Sequence, residues 1–330
     1  MRQNRPAIRR VLMSALPALL AIALPGAASA QAAWPAKPIR MVVTFPPGGS
    51  SDIVARLIAP IVGEKLGQPI VVENRPGAGA TIGAAEVARA APDGYTFMLS
   101  NTAPISLSPF MLDKSPYDPV KSFTHVAYIG SVANVFVVHP DVPAKTVPEF
   151  VAWARKTGQV NYGSGGVGSI GHIVGEMFKN ASRIDLEHIG YKGSAPMHND
   201  LIGGQIRFAV DTLPQNVPFA KAGKLRMLAV TSPRRASMAP DVPSVTEIGL
   251  PELVAENFFG VTAPAGLPRP IAERMHAAVM AALDDPKVKK TFEESGIDTR
   301  RMGIDEFAAF VSKQVTDWAP AVKASGARLN

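Results

Sequence analysis

One arrangement recurs along this chain and constrains its fold more than any other. A short apolar, β-branched run is followed by a loop of glycine and hydroxyl residues, and then by apolar residues at helical spacing. Residues 39–45 (IRMVVTF) are bounded by Pro and Gly and read as a buried strand. The loop PPGGSSD follows, and Ile53, Val54, Leu57, Ile58, Ile61 and Val62 then form a helical stripe. Residues 70–73 form a second strand, NRPGAGATIG a second loop, and an alanine-rich helix runs to residue 90; residues 96–100 (TFMLS) are a third strand. This order predicts β-α-β units and a parallel sheet.

The pattern pauses and restarts. Residues 126–130 and 135–138 read as two strands, and Thr146-Val147-Pro148-Glu149 is a capping box opening a helix over 149–156. Strands over 160–162, 186–189, 206–210 and 226–230 then alternate with helices over 170–179 and 195–202 and a short helix after Pro214. A proline-rich polar stretch, 231–251, precedes a strand over 254–261, and the chain ends in helices over 270–283, 286–295 and 305–314. Two α/β blocks followed by helices suit 330 residues, which is enough for two domains. Sequence alone leaves open which block the last helices cover.

Residues 1–30 read as an address. Arg2, Arg5, Arg9 and Arg10 precede an apolar stretch interrupted by Pro17, and Ala28-Ser29-Ala30 supplies a small-residue cleavage site. This is the pattern of a secretory signal peptide cut after Ala30; an uncleaved anchor is the alternative. Four units of the formal charge of +7 lie in this segment. The remainder is close to neutral, which gives no reason to invoke nucleic acid. Hydrophobic residues at 47% and charged residues at 18% exclude a disordered chain. The absence of cysteine removes disulfides, thiol catalysis and a lipid-anchored cysteine. Export without these features fits a bacterial periplasm.

The loops carry the functional signal. Four of them, 46–52, 76–81, 163–169 and 192–194, sit between a strand and a helix start. Ligands of open α/β sheets bind at the carboxyl ends of strands. Helix N-termini there present free N–H groups and a positive dipole end, which suits a carboxylate or phosphate. Good turns and N-caps are the plainer explanation of any one such loop; four in two blocks favour a cleft. Gly166-Val167-Gly168-Ser169-Ile170-Gly171 matches GxGxxG, but three residues separate it from its strand, and dinucleotide binding is not expected outside the cytoplasm. No GxSxG, HExxH or Walker A motif is present. His172 and Glu176 are four apart on a helix; a solvated face explains them better than a metal. Asp211 stands at the end of a strand, where it either faces the cleft or caps the next turn.

Five segments in order, VTFPPGGSSDIVARLIA, VVENRPGAGATIGAAEVARAAPDGYT, IGSVANVFVVHP, IGYKGSAPMHNDLIGGQIRFAVDTLPQ and GKLRMLAVTSPRR, resemble the Bug family. These are periplasmic substrate-binding receptors of tripartite tricarboxylate transporters, and the similarity covers nearly the whole chain after residue 34. The resemblance implies an α/β, two-lobed Venus-flytrap of the type II periplasmic binding class. The chain would cross between lobes twice, near Gly130 and near Phe258. Lobe I would hold residues 31–130 and 259–330, and lobe II residues 131–258. Carried over by position, lobe I contacts would be Phe45, Gly49, Ser50 and Ser51, then Ala78, Gly79, Ala80 and Thr81, then Asn101 and Thr102. Lobe II contacts would be Ser164, Gly165, Gly166, Ser169, His172, Ser194 and Asp211. Ser51 stands where Thr is frequent in the family and Thr81 where Asn is frequent, so the resemblance does not name the ligand.

The expected protein is therefore a monomeric, non-enzymatic receptor. It would bind a small carboxylate (a di- or tricarboxylate, an aromatic acid or an acidic amino acid) without cofactor or metal and deliver it to the permease subunits. The rival readings are a secreted two-domain enzyme acting on a nucleotide or acyl substrate, and a ligand-sensing domain serving a signalling partner.

Overall fold

The computed structural model describes residues 34–329. The expected signal peptide and its cleavage site lie outside these residues. In chain order the first block contains β1 (Ile39–Val43), α1 (Ser50–Leu66), β2 (Ile70–Asn74), α2 (Thr81–Ala88) and β3 (Thr96–Asn101). β4 (Phe123–Val138) leads into the second block. That block contains α3 (Val147–Thr157), β5 (Val160–Ser164), α4 (Ile170–Ser182), β6 (Leu186–Gly190), α5 (Ser194–Ile202), β7 (Phe208–Thr212), α6 (Leu213–Lys221) and β8 (Arg226–Val230). β9 (Glu256–Pro264) returns to the first block, followed by α7 (Arg269–Asp284), α8 (Pro286–Glu294), β10 (Ile297–Asp298) and α9 (Ile304–Ser325).

β1 is flanked in parallel by β2 and β3. β9 pairs antiparallel with β3, and β4 antiparallel with β9. In the second block β5 lies parallel between β6 and β7. Helices cover both faces of the first sheet. Met41 and Val43 of β1 enter a core with α1 and α7, whereas Val42, pointing the other way, enters a core with α2 and α9. A strand buried on both faces reads as a continuous apolar run, which is why β1 was legible.

β4 joins the blocks. The sequence suggested two strands here, but the chain forms one of 16 residues. Phe123–Ala133 pairs with β9 in the first sheet, Asn134–Val138 with β7 on one edge, and Val135–Val138 with β8 on the other. Register shifts between His125 and Ala127 and between Tyr128 and Gly130 bend the strand. The small and polar residues Gly130, Ser131, Ala133 and Asn134 then hide its continuity from a hydrophobicity pattern. On the return path the Ala255 N–H donates to Thr231 O in the second block, and Glu256 pairs with Ala133 in the first.

α9 is 22 residues long, where the apolar stripe predicted a helix over 305–314. Its first half buries Phe307 and Val311 against the first sheet, and its second half buries Trp318 and Val322 against the second block. The final helix therefore covers both blocks. Among the described residues, no helix is long and apolar enough to cross a membrane.

Candidate functional site

A cavity of about 510 Å³ lies between the two blocks, at the carboxyl ends of β1, β3, β5 and β7. Helices α1, α4 and α5 begin at its wall, as does α6 after its N-cap Thr212. At α1 the N-cap is Gly49, whose extended backbone offers no side-chain cap. Gly48 is in the left-handed region (φ 82°), which glycine adopts without cost. The N–H groups of Ser50, Ser51 and Asp52 therefore have no partner within the helix. Asp52 holds this loop in shape: its carboxylate accepts from Gly48 N–H (2.9 Å), Arg56 Nε (3.0 Å) and Asn74 Nδ2 (2.9 Å). Asn74 Nδ2 also donates to Phe45 O at 3.0 Å. Burial pushes the Asp52 carboxyl up, but the bonds from Arg56, Gly48 and Asn74 outweigh it and hold it below the usual carboxylate range. Asp52 escaped the sequence analysis because its task is to position the loop.

Across the cavity α5 starts after Gly193 (φ 102°), again without a side-chain cap. α4 starts at Ser169, whose hydroxyl accepts from His172 N–H. These positive dipole ends thus face one space. Lys192 is the sole lysine or arginine among the described lining residues, and Asp211 the sole carboxylate.

The expected contacts divide by position. Phe45, Gly49, Ser50, Ser51, Asn101, Gly165, Ser169, Ser194 and Asp211 line the cavity. Asn101 Nδ2 donates to Ser51 Oγ at 2.7 Å, tying β3 to α1. Asp211 lies within β7, opposite Val135, because β7 begins and ends two residues later than the pattern suggested. It accepts from Ser194 Oγ at 2.8 Å and Asn216 Nδ2 at 3.4 Å, and lies 3.3 Å from His198 Nε2.

The remaining expected contacts do not line the cavity. Ala78, Gly79, Ala80 and Thr81 form a turn in which Thr81 Oγ1 donates to Ala78 O at 2.7 Å, and a Cβ on Gly79 would meet Leu329 from the C-terminus. Ala78 (φ 45°) and Ala80 (φ 76°) both occupy the left-handed region. Thr102 Oγ1 bridges β3 to β9, donating to Glu256 O (3.3 Å) and accepting from Phe258 N–H (3.0 Å). Ser164, Gly166 and His172 form a layer behind the cavity. Ser169 Oγ donates to Ser164 Oγ (3.1 Å), which hydrogen-bonds His188 Nε2 (2.8 Å); His188 stacks on His172 at 3.8 Å.

The Ser164–His188 pair has the spacing of a nucleophile and base but not the chemistry. Ser164 is fully buried. Burial, and secondarily the neighbouring His172, lowers the His188 pKa to about 3; burial lowers that of His172 to about 4. A base so weak at neutral pH is poorly matched to activating a hydroxyl. The pair packs the α4 N-terminus instead.

Lining residues absent from the sequence analysis include Asn134, Thr212, Gln215 and Asn257. One signal was available: an asparagine in the middle of the apolar run Val132–Val138.

A two-lobed α/β fold with a cleft bordered by helix N-termini defines a solute-binding protein of the periplasmic-receptor class. Residues 54–327 match the model of the tripartite tricarboxylate transporter family receptor. Protein BugT of Bordetella pertussis is 34% identical over 298 residues, covering 90% of this chain and 91% of that protein. MatC from Rhodopseudomonas palustris with bound malate superposes with a TM-score of 0.81 at 30% identity, covering 87% of this chain and 99% of MatC. R. palustris Rpa4515 with adipate gives 0.83 at 32% identity, covering 89% and 99%. The chain belongs to the tripartite tricarboxylate transporter receptor family and is a solute-binding receptor of the Bug type.

Proposed function

We propose that this chain is a periplasmic receptor that closes its two lobes over a small carboxylate and delivers it to the membrane subunits of a tripartite tricarboxylate transporter, without catalysing a reaction. One observation carries the reading: the N-termini of α1, α4 and α5 converge on one cavity whose described lining holds a single lysine and no arginine. Such a site recognises an anion by N–H groups and dipoles rather than by a guanidinium fork. Malate in MatC and adipate in Rpa4515 support the carboxylate class. Lobe I is assigned residues 31–130 and 259–330, lobe II residues 131–258, with hinges where β4 and β9 pass between sheets; closure is by hinge motion. The mature protein is assigned as a monomer beginning at Gln31.

A thermal-shift screen of mono-, di- and tricarboxylates and amino acids, with a neutral sugar and a nucleotide as controls, tests this. A ligand at 100 times its Kd adds about 2.7 kcal/mol of stability. A shift with one or more acids and none with the controls is expected. A shift with the nucleotide alone would replace the receptor reading with an enzyme or sensor.

A further inference from the structure

The floor of the cavity holds two side chains that the receptor reading leaves without a task. Asn134 is fully buried, and neither Oδ1 nor Nδ2 makes a hydrogen bond to the protein. Thr212 stands directly across from it in the β4–β7 ladder, and its buried Oγ1 is likewise unpartnered. Both residues line the cavity. Buried polar groups of proteins are hydrogen-bonded in the great majority of cases, so two adjacent orphans on a ligand cavity point to a ligand group that completes them.

The main chain makes the placement rigid. The Asn134 N–H donates to Thr231 Oγ1 at 2.9 Å, and Asn134 O accepts from Thr231 N–H at 2.9 Å. Asn134 is also the first residue of β4 beyond the pairing with β9. Its amide therefore sits where the two sheets meet, within reach of a ligand held by either lobe.

Resting on the receptor reading, we propose that Asn134 and Thr212 form a subsite that reads a hydroxyl on the ligand, making this chain a receptor for a hydroxycarboxylate rather than a plain carboxylate. The amide offers donors at Nδ2 and an acceptor at Oδ1, and this holds whichever way the amide is turned. An ionised carboxylate only accepts, so it leaves Oδ1 unpaired. A hydroxyl both donates and accepts, and with its neighbouring carboxylate it satisfies the whole cluster. Asp211, which also lines the cavity and is 5% exposed, adds a further acceptor to its wall. A second ligand carboxylate there gains nothing from it.

The test compares matched acids that differ by one hydroxyl, malate with succinate and citrate with tricarballylate. Calorimetric titration uses the protein purified from the periplasm as wild type, Asn134→Leu and Thr212→Val. Wild type is expected to bind the hydroxy acid of at least one pair about tenfold or more tighter than its partner, since leaving a buried polar group unpaired carries that penalty. Asn134→Leu should bring the ratio close to one, while the ligand-free melting temperature stays level or rises because an orphaned amide has been removed. Thr212→Val, nearly isosteric, should reduce the ratio in part. Equal binding of both acids by wild type, or a ratio that survives in both variants, overturns the proposal while leaving the carboxylate receptor standing. Failure of all four acids and of the wider carboxylate panel to bind wild type overturns both.

Discussion

Ser50 is the residue at which helix-dipole recognition can be tested most cleanly. It is the first helical residue of α1, and its N–H has no partner within the helix. Proline is favoured at this position, and the preceding Gly49 already has the extended backbone that a following proline requires (φ −77°, ψ 166°). Ser50→Pro should therefore preserve the fold and remove one N–H from the cavity. Calorimetry should show about 10- to 100-fold weaker binding of the carboxylate, the range for a hydrogen bond to a charged group, with the melting temperature within a few degrees of wild type. Unchanged affinity would mean that α1 does not hold the anion. Three histidines contribute to the response to acid. Burial lowers His125 and His172 to about 4 and His188 to about 3. Each folded pKa is depressed below the unfolded value of about 6.5, so the unfolded chain binds more protons between those limits. Their stabilisation is complete above pH 6.5 and is lost as pH falls towards 4. Urea midpoints measured from pH 7.5 to 4 should fall accordingly, and His188→Gln should flatten the slope. A slope unchanged in that variant would remove His188 from the account.

At the scale of elements, two turns carry opposite kinds of strain. The loop before α1 uses Gly48 for its left-handed residue, whereas the turn before α2 places alanines at φ 45° and 76°. An L-residue in that region costs roughly 1–2 kcal/mol. Ala80→Gly should therefore raise stability by about 1 kcal/mol in urea titration; an unchanged midpoint would show that the turn holds alanine there without strain. Asp52→Asn acts the other way. It weakens the bonds from Arg56 and Gly48 that shape the first loop, and affinity should drop several-fold while α1 remains helical by circular dichroism. The two loops differed equally in legibility. PPGGSSD announced itself because a helix start needs free N–H groups and glycine permits the turn, and the structure places Gly49, Ser50 and Ser51 on the cavity. GAGAT carries the same residue types, yet its turn closes under Leu329 rather than over the cavity. Composition records that a loop can bind an anion, not which way it faces. Asp52 and Asn134 escaped notice for related reasons: one acts through other residues, and the other interrupts an apolar strand whose partners lie between 70 (Val138 and Phe208) and 167 (Ser131 and Asp298) residues away along the chain.

The whole molecule depends on three elements shared between its halves: β4, β9 and α9. The strand pattern exposed the two α/β blocks, because each builds its parallel sheet from local β-α-β units. It left the last helix unassigned, because an amphipathic stripe does not name the surface it covers. The structure splits α9 between both blocks, with Trp318 and Val322 buried against the second. Trp318→Ala should cost about 3–5 kcal/mol, the usual range for removing a buried aromatic, read as a lower denaturant midpoint. If the midpoint is unchanged, α9 does not clamp the second block. Helix N-termini at an inter-lobe cavity are the proposed holders of the carboxylate. The most direct test is a crystal structure with the acid that gives the largest thermal shift. One molecule is expected in this cavity, with carboxylate oxygens accepting from main-chain N–H groups of α1, α4 or α5 at about 2.7–3.1 Å. An acid bound outside the cavity, or held there by arginine side chains instead, would contradict it.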